Sequence, residues 1–432
     1  TLTSKKKFIA TLPQNKKEKD KGNAYSVATL GGQTIYFNLL DSFVVVTHKP
    51  ELFGKHKDDL TSLVTTRGQG DMKVLFEVGK LRKLYEDEIE SGIKEMEQGL
   101  EGVKEQKGVQ GLAALKSMTG WGREVMAETN RVVPNYGVTA DSLKLTGAMI
   151  PNKGSEVAKS LAAFEGAGAP KLLDSLPADT AAFMAGKMDP KKTKDLISRM
   201  MRFTMSVMPG EMPESYMDAT KKFWESTDGE FVSGLYVAEG EGPAMVGLYN
   251  VVDHDAAAAS MKEMMGLYKN PSYKAMMKKL KMEVELKEEA YKVGDVTVAT
   301  MATKMPSMDQ AAGFSKLINA FTTTHLGLGK KKGIYAFGPS ARPTVEAFLG
   351  GKVKGGLASD KGVKAALAAA APGATVWIYA AATGLAKFAL GFMGADLTKM
   401  TLPEADGGLC ISFGSKGGQL NAAFDLPVNQ LK

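Results

Sequence analysis

Apolar positions recur at two spacings along the chain, one of two residues and one of three to four. The first predicts strands and the second predicts helices. Phe43–Val46, Phe231–Leu235, Ala244–Val252, Met282–Leu286, Val293–Met301, Ile334–Phe337 and Ala374–Ala380 carry the strand pattern. The second and third of these read as a hairpin around Glu239-Gly-Glu-Gly-Pro243. Leu81, Tyr85, Ile89, Ile93, Met96, Leu100 and Val103 define one long helix with acids and lysines on its other face. Gly92, Gly99 and Gly102 each weaken that helix by about 1 kcal/mol relative to alanine, which predicts fraying or a close neighbour. Further helices are expected at Lys191–Met205, from Asp253 to Tyr268 and at Lys361–Ala371.

The order of these elements suggests an internal repeat. Phe43–Phe53, Asp71–Val78 and Leu81–Leu84 match Ile334–Phe337 with Arg342–Phe348, Ala374–Ala380 and Leu385–Phe388. Each copy reads strand, basic-proline helix start, helix, strand, long helix. Each ends in an extended segment stopped by proline, Ser142–Pro151 in one and Gln419–Pro427 in the other. The second copy has far more chain ahead of Ile334 than the first has ahead of Phe43. The first is therefore expected to lack its opening elements. A boundary at Ala167–Pro170 divides the chain into residues 1–169 and 170–432. Hairpin-linked strands with few crossover helices predict an α+β fold: two related units of antiparallel or mixed sheet, with helices packed on one face.

Composition narrows the function without naming it. The 432 residues are 44% hydrophobic and 24% charged, which fits a folded globular chain. No apolar run is long enough for a transmembrane helix. The net charge of +7 reads as a lysine-coated surface, because the lysines of 16–21 and 278–292 are interspersed with acids. Arginine is scarce and no basic patch is interleaved with aromatics, so specific nucleic-acid binding is not expected. Cys410 is the single cysteine, in an alternating segment, and is expected to be a buried structural thiol. The opening Thr1–Lys7 is neither a signal peptide nor an initiator methionine, and is expected to be a processed or truncated start.

The search for chemistry finds no catalytic residue and no cofactor or metal site to nominate. The four histidines, His48, His56, His254 and His325, form no paired or HExxH arrangement. Asp253-His254-Asp255 stands at a strand-to-helix junction, where an aspartate is expected to cap the helix. Gly327–Lys332 lacks the spacing and the Ser/Thr of a phosphate loop and is expected to be a basic turn. Methionine is unusually frequent, with 25 residues. Met201, Met205, Met208 and Met212, with Met261, Met264 and Met265, are the candidate ligand or partner surface, because methionine suits adaptable apolar contacts.

Leu176-Pro-Ala-Asp-Thr180 before a strand, Asn250–Asp255 leading into an alanine-rich helix, Ile334–Phe337 leading into a helix, and Leu357–Asp360 before Lys361–Ala371 form a consistent order. That order resembles an uncharacterised family of bacterial cell-envelope proteins, exported proteins or lipoproteins with a duplicated α/β unit. The resemblance implies a periplasmic or outer-surface location and supplies no catalytic residues. The resulting expectation is a non-enzymatic envelope scaffold that binds a protein partner or itself. The alternative is a carrier of lipid or another hydrophobic ligand in an apolar, Met-rich cavity.

Overall fold

The computed structural model describes residues 16–20, 23–30, 33–40, 43–47, 72–105, 112–139, 142–165, 168–193, 197–198, 214–238, 242–279, 282–304, 323–392 and 407–427. Its strands are β1 (Lys16–Asp20), β2 (Asn23–Leu30), β3 (Gln33–Leu40), β4 (Phe43–Thr47), β5 (Met72–Lys73), β6 (Phe76–Glu77), β7 (Thr129–Val138), β8 (Ser142–Pro151) and β9 (Ala182–Lys187). They continue with β10 (Thr227–Ala238), β11 (Gly242–Val251), β12 (Glu283–Val293), β13 (Val296–Lys304), β14 (Thr323–Leu328), β15 (Lys332–Phe337), β16 (Ala374–Ala380), β17 (Leu409–Lys416) and β18 (Gln419–Pro427). The α-helices are α1 (Val78–Leu84), α2 (Glu86–Glu105), α3 (Leu112–Glu128), α4 (Glu156–Leu161), α5 (Glu214–Glu225), α6 (His254–Gly266), α7 (Pro271–Lys279), α8 (Ala341–Leu349), α9 (Lys361–Ala368) and α10 (Ala382–Phe392).

One antiparallel sheet dominates. Its strand order is β12-β13-β14-β15-β11-β10-β9-β16-β17-β18-β8-β7-β5, with β6 also on β7. A separate four-stranded meander, β1-β2-β3-β4, stands beside it in the chain. This corrects the expectation of two units, each with its own antiparallel or mixed sheet. The two proline-stopped segments taken as the ends of separate copies are hydrogen-bonded to each other: β8 runs antiparallel to β18 from Leu420↔Met149 to Pro427↔Ser142. A period of two shows which residues share a face, but not which strand edges meet.

The expectation of helices on one face only fails as well. On the inner face, Phe183, Val232, Val246, Leu248, Ile334, Trp377 and Tyr379 pack with Ala341 and Val345 of α8 and Val363 and Ala366 of α9. The outer face of β10, β11 and β15 is covered too, by Phe223 of α5 and Ala257 of α6. A two-sided cover explains why 231–238, 243–249 and 333–337 of these strands carry no charged residue. Each fully buried large side chain contributes roughly 1.5–3 kcal/mol.

Local chemistry fixes the element ends. Asp253 accepts from the Ala256 amide at 3.0 Å and caps α6, as expected from the sequence. Asp360 and Ser155 do the same for α9 and α4. The expected β10–β11 hairpin forms, with Val232 opposite Leu248. The long first helix breaks at Tyr85 into α1 and α2. Around Gly92 a Cβ would meet nothing within 4 Å, so that glycine marks no close neighbour.

A bulge between Thr227 and Phe231 places one carboxylate in the interior. Gly229 takes a φ of 76°, and a Cβ there would lie 1.7 Å from the Met188 carbonyl oxygen. Only glycine fits. The next residue, Glu230, is buried, accepts from the Leu172 amide and faces Lys187 Nζ at 3.5 Å. This ties the turn Lys171–Ser175 to the junction of β9 and β10.

Candidate functional site

The outer face of β9, β16, β17, β18, β8 and β7 differs from its continuation over β10–β15. Cross-strand neighbours form one row: Met184–Ile378, Ile378–Ile411, Ile411–Phe424, Phe424–Leu145 and Leu145–Tyr136. A second row runs Val376–Phe413–Ala422–Gly147–Pro134. A third joins Leu426, Leu143 and Val138. None of these residues is charged. Met184 is 42% exposed, Ile378 40%, Leu145 37%, Tyr136 39% and Val138 64%, while Ile411 and Phe424 are half-buried. Six strands spaced by about 4.8 Å and three rows about 7 Å apart make a patch of roughly 600 Å². That is the upper end of what a monomeric protein exposes, and such patches mark interaction sites.

The opposite face of β9, β16, β17 and β18 is ordinary core. Phe183, Ala185, Trp377, Tyr379, Cys410 and Ala423 are buried there. The patch is therefore held on a rigid sheet. Sequence reasoning missed it, although a signal was present: Ala374–Ala380 is apolar at both parities, which requires something apolar on both sides.

The methionine surface divides. Met201, Met205, Met208 and Met212 lie outside the described residues. Met261, Met264 and Met265 are half-buried on α6. Thr220 Oγ1 of α5 donates to Met264 Sδ at 3.4 Å, so Met264 serves the α5–α6 contact. None of the three belongs to the open rows. Two other methionines, Met277 and Met282, line an open cleft of about 380 Å³ with Tyr268, Tyr273, Lys274 and Lys278. Tyr268 and Tyr273 meet edge to face at 5.3 Å, and burial raises the pKa of both.

His254, His325 and Cys410 each sit in a local contact. His254 Nδ1 lies 3.3 Å from Asp255 Oδ1 at an exposed helix start. His325 is buried on β14, with Nδ1 2.9 Å from the Tyr291 hydroxyl of β12. Arg342 of α8 lies over the Tyr291 ring at 4.7 Å and donates to Glu346 at 2.8 Å. Burial, aided by Arg342, lowers the His325 pKa, and burial with Glu346 pushes Tyr291 up to about 12. A neutral imidazole and a neutral phenol form a structural tie between β12, β14 and α8, and no sequence motif announced it. Cys410 is buried, as expected, and burial pushes its thiol up to about 11. Gly327–Lys332 forms the turn between β14 and β15, closed by the Gly329 amide on the Lys332 carbonyl at 2.9 Å. It is a basic turn as expected, but between two strands. His48 and His56 lie outside the described residues. Among the described residues no group of three or more His, Cys, Asp or Glu side chains could hold a metal ion, and no helix is long and apolar enough to cross a membrane.

Comparison with known proteins returns no matching family, no matching curated protein and no matching solved structure.

Proposed function

We propose that this chain is a non-enzymatic binding protein that docks a polypeptide partner, another subunit or a second copy of itself, on the open outer face of β9, β16–β18, β8 and β7. The observation that carries this reading is the uncharged row Met184–Ile378–Ile411–Phe424–Leu145–Tyr136, continuous across six strands and open to solvent. Covering roughly 600 Å² of apolar surface on one side approaches the standard protein interface of about 800 Å² per partner. The cell-envelope setting, periplasmic or outer-surface, belongs to the same reading and rests on the family resemblance.

Native mass spectrometry and sedimentation of the 46.1 kDa chain and of an Ile378→Lys/Leu145→Lys variant test it. The expected result is a defined multiple or a stoichiometric complex that the variant loses without a change in its urea midpoint. A bare monomer at every attainable concentration, indifferent to the substitutions, would refute it. The second reading, a carrier of hydrophobic ligands, is favoured by the Tyr268–Met282 cleft, whose volume lies in the small-molecule range. Additional mass that organic solvent removes, and that Met277→Lys abolishes, would promote it.

A further inference from the structure

Helix α7 packs against β12, and the cleft of about 380 Å³ lies where the two meet. Local sequence sets its lining. Asn270 Oδ1 accepts from the Tyr273 amide at 3.4 Å, and Pro271 opens the helix, where its missing N–H is no loss. Helical spacing then puts Tyr273 and Met277 in one row and Lys274 and Lys278 in the row beside it. The Met282 amide donates to the Met277 carbonyl at 2.8 Å, which turns the chain back so that Met282 and Glu283 join the lining. Tyr268, in the turn Leu267–Lys269 ahead of α7, supplies a second ring.

Two kinds of group converge here. Met277 is buried, Met282 is half-buried, and the two tyrosine rings meet edge to face. Thioethers and ring edges both favour contact with a further aromatic ring. Lys274 and Lys278 are exposed and meet no carboxylate among the described residues. Lys269, just outside the cleft, is already paired with Glu288. Glu283 is the one acid in the lining, set against two lysines. Tyr268 and Tyr273 stay protonated near neutral pH, because burial first and neighbouring phenols second raise their pKa. A protonated phenol donates to an anion and does not repel it.

We propose that this cleft binds an aromatic carboxylate, its ring against Tyr268, Tyr273 and Met277 and its carboxylate between Lys274 and Lys278. The inference deepens the second reading above, a carrier of hydrophobic ligands, and rests on it. An open cleft leaves one end of its ligand in water. A carboxylate beside two exposed lysines keeps part of its hydration there, whereas an apolar end would gain nothing.

Isothermal titration of the 432-residue chain with naphthoate, neutral naphthylmethanol and cationic naphthylmethylammonium tests it. Naphthoate is expected to bind about tenfold more tightly than the alcohol at low salt, and the ammonium more weakly than either. Lys274→Gln/Lys278→Gln is expected to erase that gap while leaving the urea midpoint and the alcohol's dissociation constant unchanged. Glu283→Gln is expected to widen the gap about twofold. Equal binding of naphthoate and the alcohol, or a gap that survives the double substitution, overturns the inference and leaves the carrier reading standing. Binding of none of the three overturns both.

Discussion

The outer face of the sheet can be compared with itself. Over β10, β11 and β15 it presents Phe231, Tyr249 and Tyr335, and helices α5 and α6 close over them. Phe223 meets Tyr249 edge to face at 5.3 Å, and Trp224 lies 6.3 Å from Phe231. The tyrosines lie against cross-strand glycines: a Cβ on Gly333 would fall 1.9 Å from the Tyr249 ring, and one on Gly247 would fall 2.1 Å from that of Tyr335. Over β9, β16–β18, β8 and β7 the same face is as apolar, but its side chains, aliphatic and aromatic, remain open. Hydrophobic sequence alone does not distinguish the two halves. The difference lies in whether a helix arrives to cover them, and that separates residues that stabilise the fold from residues that meet something else.

The largest expected effect tests that separation directly. Tyr249→Ala removes a ring enclosed by α5, α6 and β15, and is expected to cost about 3–5 kcal/mol in urea unfolding. Ile378→Ser, on the open row, is expected to stay within about 0.5 kcal/mol of wild type. Equal losses at the two positions would mean that the open half is core and would end the comparison.

A smaller effect is expected where the halves meet. Glu230 on β10 and Lys187 on β9 face each other across the boundary, with Glu230 buried and Lys187 30% exposed. Glu230→Gln leaves the Leu172 amide with a weaker acceptor and Lys187 without its counter-ion. It is expected to cost about 2–3 kcal/mol, below the full penalty for breaking a buried pair because water reaches the lysine. A loss of about 0.5 kcal/mol or less, measured in the same urea experiment, would make it an ordinary surface pair.

Much of the local structure was legible in the sequence. Apolar segments of strand length located β4, β10, β11, β13 and β16, and the junction at Asp253 announced its cap. Beyond the β10–β11 hairpin, the strand partners were not legible. Ser142–Pro151 and Gln419–Pro427, alike in sequence, lie side by side in the sheet, and their similarity carried no information about that pairing. Glu230 was invisible because a carboxylate beside a glycine reads as a turn, and only the fold shows that the turn points inward. The methionines drew attention by number, whereas the open face is built from Ile, Leu, Phe and Tyr in unremarkable strands. Its signal was two-sided apolarity with no helix assigned to one of the sides.

The smallest effect separates the halves by pH. Burial lowers the His325 pKa below its ordinary 6.5, with Arg342 adding to the shift. The unfolded chain therefore binds more protons than the folded one below about pH 6.5, and stability rises with pH in that window. Acidification from about pH 7 to pH 5 is expected to lower the urea midpoint, and the decline ends once pH passes below the depressed folded-state value. His325→Gln, which can still meet the Tyr291 hydroxyl, is expected to flatten this dependence while leaving the midpoint near pH 7 close to that of wild type. The open rows carry no charged side chain, so assembly through them is expected to keep the same dissociation constant across that range. A midpoint that falls equally in both proteins would assign the pH dependence to other groups. Assembly that weakens in step with the midpoint would mean that the covered and open halves act together.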